Sequence, residues 1–402
     1  MGMLSLFSKR KKKLSSRTVL IMDASSWSIG ASIIRIRDNM RPTVLWHKRQ
    51  LLGSHIGNPQ TPEYYEEELA RELPHLAREA LRARKGVIGD VICFLGEPWV
   101  HGQSRVVSTS RKTSFPVTKK FLDELMEKDF RLLVQDLEKR YANHESLALL
   151  DRKTLWLALN GYVVQSFIGK RVERVDVGTY WSVVPERMHK LVTEVLAPIF
   201  HRSTIETHSL GYAGAVVSSS LLQDNTYALV SVGGLVTELA IMEKHELAHT
   251  ISIPTGAHTI FQEIGKSFGC RTYQEVASLL HMYQDEILSE KDMEKIGLLL
   301  RDLSKAWLRQ VEKAIGAILA RGTLPAVFCY AGPQVLEQSL MKALGSSVYL
   351  DLGASSPVVV SLGRDVAPGY VIHESGHGEH MRRVDGTSSI LALFANSIRE
   401  SV

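Results

Sequence analysis

Thr18-Val-Leu-Ile-Met-Asp23-Ala-Ser-Ser-Trp-Ser-Ile-Gly30-Ala-Ser-Ile-Ile-Arg-Ile36 is an apolar run, a tight turn of small residues and a second apolar run. Much further along, Tyr227-Ala-Leu-Val-Ser231-Val-Gly-Gly-Leu-Val-Thr237-Glu-Leu-Ala-Ile-Met242 repeats the arrangement. Each stretch reads as a buried strand, a hairpin turn and a second strand. Small turn residues let backbone N–H groups approach an anion closely. Alone, Gly233-Gly234 is better read as a structural turn. Two such turns in this order, followed by Ala331-Gly332-Pro333-Gln334, point instead to the halves of a phosphate clasp.

Outward from the first hairpin, Thr43–Gln50 is a candidate third strand. Thr61-Pro62-Glu63 has the cap, the first-turn proline and the acid of a helix start, and that helix should reach Arg84 with a kink at Pro74. Val87–Phe94 reads as a buried strand opening a small α+β segment, with a helix at Thr118–Arg140 and a strand at Leu155–Leu159. Val172–Val184 returns to strand, Pro185–Phe200 suits a helix, and Ser209–Leu222 is a small-residue helix leading into the second turn. After Pro254-Thr255-Gly256 the pattern is helical to about Arg321. Within it, Trp307, Leu308, Val311, Ala314, Ile315, Ile318 and Leu319 fall on one helical face. Ala326–Tyr330 is a further strand, with a helix to Leu344 after the Gly332 turn. From His373 to Gly386 the chain is polar, and Ser388–Ser401 has the pattern of a short helix.

With 402 residues, two or more domains are expected. A composition of 45% hydrophobic and 23% charged residues suits a soluble globular protein. Cys93, Cys270 and Cys329 are far apart with no metal spacing, which fits a reducing cytoplasm. Lysine and arginine total 48 against 43 acids, yet Lys9, Arg10, Lys11, Lys12 and Lys13 carry the whole excess. A body with balanced charge is not expected to bind nucleic acid. No apolar stretch of about 18 residues is present, so no transmembrane helix is expected.

The order strand–turn–strand, insert, helix, strand–turn–strand, helical block, strand–Gly turn resembles the actin-like ATPase superfamily. Within it, the chain is most similar to the bacterial branch of the cell-division protein FtsA and the type IV pilus-assembly protein PilM, over roughly residues 17–350. The insert lies where that branch carries its extra domain. Leu159-Asn-Gly-Tyr-Val-Val-Gln165 and Ile168-Gly-Lys-Arg171 look like the exit from it. Thr250-Ile-Ser-Ile-Pro254, a small turn and Ile260–Gly269 look like the segment after the second phosphate turn.

The resemblance implies an α/β, two-lobed actin-like fold built on a ribonuclease H-like repeat. Residues 1–16 would be a basic arm, and 17–85 with 170–225 a first lobe. Residues 86–169 would be the small α+β inserted domain. Residues 226–372 would be a second lobe with a helical subdomain at 256–322, and 373–402 a linker with a terminal helix.

Bound ATP with Mg²⁺ is the implied cofactor, held between Asp23, Ser25, Ser26 and Ser28, then Ser231, Gly233, Gly234 and Thr237, and on the adenosine side Gly332. Asp23 stands where the family's acid helps hold the metal. Other positions depart from the family pattern. Ser25 replaces a glycine, Ser231 an aspartate, and Ala331 one glycine of a pair. Losing an acid weakens a Mg²⁺ shell, which depends on hard oxygen ligands. Ser209–Leu222 also contains no acid or glutamine to orient a water. The expectation is weak or absent hydrolysis.

The resemblance therefore implies a cytoplasmic scaffold or adaptor at the inner face of the membrane, serving cell division or pilus assembly through protein partners, with self-polymerisation a further implication. The alternative is an active Mg-ATP hydrolysing ATPase.

Both ends bear on membrane contact. Leu4, Leu6 and Phe7 beside five basic residues suit shallow insertion at an anionic surface, so residues 1–13 are one candidate and a solvated tail the other reading. Residues 388–401 are the second candidate, through Ile390, Leu391, Leu393, Phe394 and Ile398. Docking on the chain's own core is the favoured reading there, because Arg399 is offset by Glu400. His373-Glu374-Ser-Gly-His377, with His380 nearby, has the zincin spacing, but Ser375, Gly376 and Gly378 argue against the helix that zinc would need. Gly265-Lys266-Ser267 lacks the first glycine of a P-loop and reads as helix surface.

Overall fold

A computed structural model describes residues 16–398, apart from 54, 84–85, 141–145, 168, 225, 245, 320–324, 326, 348–356 and 375–385. In chain order the strands are β1 (Ser16–Ala24), β2 (Ser28–Arg37), β3 (Thr43–Leu51), β4 (Asp90–Leu95), β5 (His101–Pro116), β6 (Leu147–Leu159), β7 (Tyr162–Val163), β8 (Arg171–Pro185), β9 (Thr204–Ser209), β10 (Thr226–Val232), β11 (Thr237–Glu243), β12 (Glu246–Ile253), β13 (Val327–Ala331), β14 (Val358–Ser361) and β15 (Ile372–His373). The helices are α1 (Pro62–Ala83), α2 (Lys119–Arg140), α3 (Glu186–Leu196), α4 (Leu210–Leu221), α5 (Ala257–Phe268), α6 (Tyr273–Gln284), α7 (Glu290–Leu319), α8 (Gln334–Gly345) and α9 (Gly386–Ser397).

Two sheets share one topology. The first runs β15-β3-β2-β1-β4-β9 and the second β12-β11-β10-β13-β14. In each, three antiparallel strands form a meander, and the first of them pairs in parallel with a later strand. A second parallel strand completes each set. The sequence expectation of a repeated, two-lobed architecture rests on the two hairpins, and they stand at corresponding places in the two sheets. Val19 to Met22 on β1 and Val91 to Leu95 on β4 are at most 1% exposed. Strands buried on both faces need such unbroken apolar runs, which is why these read clearly in the sequence.

The third sheet, β5-β8-β6-β7, has α2 against it and touches the second sheet at β12, where Ser104 Oγ donates to the Leu247 carbonyl at 2.6 Å. Its extent differs from the expected 86–169. The strand at Val87–Phe94 becomes β4 and pairs with β1, so it is part of the first sheet. Val172–Val184 becomes β8 and pairs with β5 and β6, so it is part of the third. β5 itself is not legible, because a run rich in Ser, Arg, Lys and Thr on an exposed edge lacks apolar alternation.

The helices cover the sheets through regular stripes. On α1, Tyr65, Leu69, Leu73, Leu76, Ala77 and Ala80 are buried, and the helix continues through Pro74. On α7, Ile296, Leu300, Trp307, Leu308, Val311 and Ile315 face the second sheet's core.

α9 docks on the chain's own core, the favoured reading of residues 388–401, and this speaks against the membrane-helix candidate. Ile390, Leu391 and Phe394 are 7%, 1% and 1% exposed, in a cluster with Ile34, Phe94, Ala213 and Leu229. The apolar face has its partner inside the molecule and is not available to lipid. Ser388 Oγ meets Ser32 Oγ at 2.9 Å, and Phe394 lies edge-on to Phe94 at 5.4 Å. The helix starts where two glycines touch: a Cβ on either Gly363 or Gly386 would overlap the other's backbone. Residues 1–13 lie outside the described residues.

Candidate functional site at the facing turns

The turn between β1 and β2 and the turn between β10 and β11 meet across the junction of the two sheets. Ser26 carries most of the contact. Its Oγ accepts from the Leu235 N–H at 2.9 Å, and its carbonyl faces His258 Nε2 at 2.9 Å. A carbonyl only accepts, so Nε2 carries the proton. His258 opens a stack of rings across the same junction, 4.8 Å from Tyr65 on α1 and 4.9 Å from Tyr273 on α6. Burial pushes its imidazole down to about 4, so it stays neutral. Trp27, in the first turn, lies edge-on to Phe261 at 4.9 Å.

The first turn closes on itself. The Ser25 N–H donates to the Ser28 carbonyl at 3.0 Å, and Ser25 Oγ accepts from the N–H groups of Trp27 and Ser28. Ser25 is not among the residues with positive φ, which explains why this turn works without the expected glycine. The second turn closes with the Gly233 N–H on the Val236 carbonyl at 2.9 Å. Its outer carbonyls, Gly233 and Gly234, receive the first N–H groups of α5, from Ala257 and His258. Those are donors a helix start would otherwise leave unmet.

Asp23 is 3% exposed and its carboxylate is taken. Arg49 Nη1 donates to Oδ1 at 2.7 Å and Nη2 to Oδ2 at 2.9 Å, a bidentate pair, while Nη1 also reaches Ser28 Oγ at 2.9 Å. The strand register explains the meeting. Asp23 is paired with Gly30 on β2, and Gly30 with Arg49 on β3. A Cβ at Gly30 would overlap both side chains. The guanidinium thus neutralises the acid on which a hydrated cation would depend. With both Asp23 oxygens engaged and Ser231 neutral, the residues present do not fit Mg²⁺. Among the described residues, no group of three or more His, Cys, Asp or Glu side chains is placed to hold a metal.

Other expected site residues have structural work. Thr237 Oγ1 donates to the Thr255 carbonyl at 2.7 Å and accepts from Trp307 Nε1 at 2.9 Å. Ser231 lies in the ladder opposite Glu238 and Ala331. Gly332 packs on Val232 and the Tyr330 ring. Ser26, Gly233 and Gly234 do come together, around a residue the sequence did not single out. Glu97, just after β4, accepts from Ser26 Oγ at 2.6 Å and from the Gly234 N–H at 2.9 Å. Burial pushes its carboxyl up to about 6, against the pull of those donors. Arg49, Glu97, Glu238 and His258 are given no role by the sequence reading. Arg49 becomes visible only through strand register, which sets it beside Gly30 and Asp23.

His373 and Glu374 lie on and just after an extended strand, not a helix, so they do not present the zincin geometry. His377 and His380 lie outside the described residues. Gly265 to Ser267 lie on α5; Lys266, paired to Glu263 at 2.8 Å, and Ser267 are helix surface as expected, whereas Gly265 is buried against Ile56.

Glu238 supplies a pH-dependent quantity. Burial, then the nearby Glu97, push its carboxyl up to about 7. Because its folded value lies above the unfolded one, the folded state favours the protonated form. The cost is full above about pH 7 and gone below the ordinary carboxylate range. Glu238→Gln is therefore expected to raise stability by on the order of 2 kcal/mol at about pH 8, with the two proteins converging near about pH 4. Urea melts at both pH values check this, and a variant less stable than the parent at the higher pH would refute the assignment.

The fold is an actin-like one, and it is shared with a solved structure. The solved PilM–PilN type IV pilus biogenesis complex is similar over 94% of this chain and 98% of its own, with 13% identity and a TM-score of 0.61. At that identity the likeness is one of fold. The ethanolamine utilization protein EutJ from Carboxydothermus hydrogenoformans is 11% identical over 86% of this chain and 84% of its own, with a TM-score of 0.43. A protein of unknown function with an actin-like ATPase fold from Bacteroides thetaiotaomicron is 10% identical over 94% and 96%, with a TM-score of 0.40. Both are too distant to carry an argument. No known family profile matches the chain, and no curated protein does.

Proposed function

We propose that this chain is a cytoplasmic scaffold or adaptor at the inner face of the membrane, working through protein partners of a pilus-assembly or cell-division complex, and that it does not turn over nucleotide. The observation that carries the reading is the Arg49–Asp23 pair. The acid that would organise a hydrated cation is neutralised by the chain itself. The fold it shares with PilM favours the pilus role over division. Partner binding, not phosphate release, is then the output of the two lobes. Membrane contact falls to residues 1–13, since the apolar face of α9 is buried.

One observation favours the alternative of a working ATPase. Glu238 is pushed up to about 7, the range a general base needs, and its Oε2 lies near the N-terminus of α4. A phosphate-release assay with Mg-ATP separates the two. The scaffold reading expects no release above a no-protein control from the full chain, together with loss of sedimentation on anionic vesicles when residues 1–13 are deleted. Release that disappears in Glu238→Gln would replace this reading with the enzyme.

A further inference from the structure

The double-glycine turn already holds an anion, and the anion belongs to the chain. Glu97 Oε1 takes the Gly234 N–H at 2.9 Å, and Oε2 takes the Ser26 hydroxyl at 2.6 Å. The next N–H of the turn, from Leu235, goes to Ser26 Oγ at 2.9 Å, the same hydroxyl that donates to Glu97, so the carboxylate is held by the turn directly through Gly234 and indirectly through Ser26. Successive backbone N–H groups around small residues are the usual construction of an anion nest. The turn is also shaped to its occupant. A Cβ on Gly233 would overlap the Glu97 carboxylate, and one on Gly234 would overlap His258 and Ser26 Oγ.

The geometry points to Glu97 as a built-in ligand of this nest, standing in for a phosphate group and latching the two lobes together. Glu97 follows a strand of the first sheet, whereas Gly234 belongs to the turn of the second. The contact therefore does between lobes what a bridging phosphate would do. A ligand shifts a conformational equilibrium only by its differential affinity for the two states. With the nest filled from within, an added phosphate has little to gain in the closed state. This inference is independent of which complex the protein serves, and its failure would leave the adaptor reading intact.

Removing the carboxylate should expose the nest. In Glu97→Ala, sodium pyrophosphate alone is expected to bind at least tenfold more tightly than to the parent, read as a concentration-dependent rise in melting temperature against sodium chloride of matched ionic strength. A parent that responds as strongly as the variant would overturn the proposal, as would a folded variant that gains no response. If Glu97→Ala does not fold, the parent carries the test. Its radius of gyration by small-angle scattering should be the same with and without Mg-ATP, and a contraction on adding nucleotide would overturn the latch.

Discussion

Arg49→Met is expected to destabilise the protein by about 3–5 kcal/mol, because it leaves Asp23 charged, buried and without its main partner. Asp23 is 4% exposed at its side chain and Arg49 19%, so water replaces little of the lost contact. Ser28 Oγ loses a donor at the same time. The size of this effect comes from the uncompensated carboxylate and not from the worth of the pair, since a buried ion pair repays its desolvation only in part. A second substitution follows from that reasoning. Asp23→Asn in the Arg49→Met background removes the charge and should recover most of the loss. Urea denaturation of the two single variants and the double gives the coupling directly. A loss under about 1 kcal/mol in Arg49→Met would mean that Asp23 is solvated or already neutral, and the case against a bound cation would lose its basis.

Phe394→Ala carries a comparable expectation, about 3–5 kcal/mol, for a different reason. The ring is 1% exposed and lies edge-on to Phe94 and to His208 at 5.2 Å. Neighbours that belong to strands cannot collapse into the space it leaves, so a cavity term adds to the lost burial. The same substitution in an exposed membrane-binding helix would hardly alter the melting temperature and would weaken vesicle association. Here the melting temperature should fall by several degrees while sedimentation on vesicles is unchanged. A stable variant that no longer sediments would restore the membrane role for residues 388–401.

Legibility differed between the fold and the site for physical reasons. The buried strands β1, β4, β10 and β13 each carry an apolar run, and an apolar run between small-residue turns needs no tertiary information to be seen. β5 is the opposite case. Its hydrogen bonds come from β8, and apart from Phe115 its side chains are partly or fully exposed, so its sequence carries no apolar alternation. Asp23, Gly233 and Gly234 were legible because they lie inside the quoted hairpins. Arg49 is legible only once the register of three strands is known, since it meets Asp23 across Gly30. Glu97 and His258 have no local signal. Glu97 reaches its turn from another lobe, and His258 looks like any helix residue until α5 docks its first turn onto Gly233 and Gly234. Ser25 shows the converse. Read as a lost glycine, it is a working turn residue whose hydroxyl closes the bend.

The placement of β15 and α9 has a consequence for biosynthesis. β15 adds the outer strand beside β3, and α9 fills the space over β1 and β2. The earliest-made sheet therefore waits on residues that leave the ribosome late. Until they arrive, Ile34, Phe94 and their neighbours remain uncovered, and a nascent chain in that condition is a natural client for chaperones.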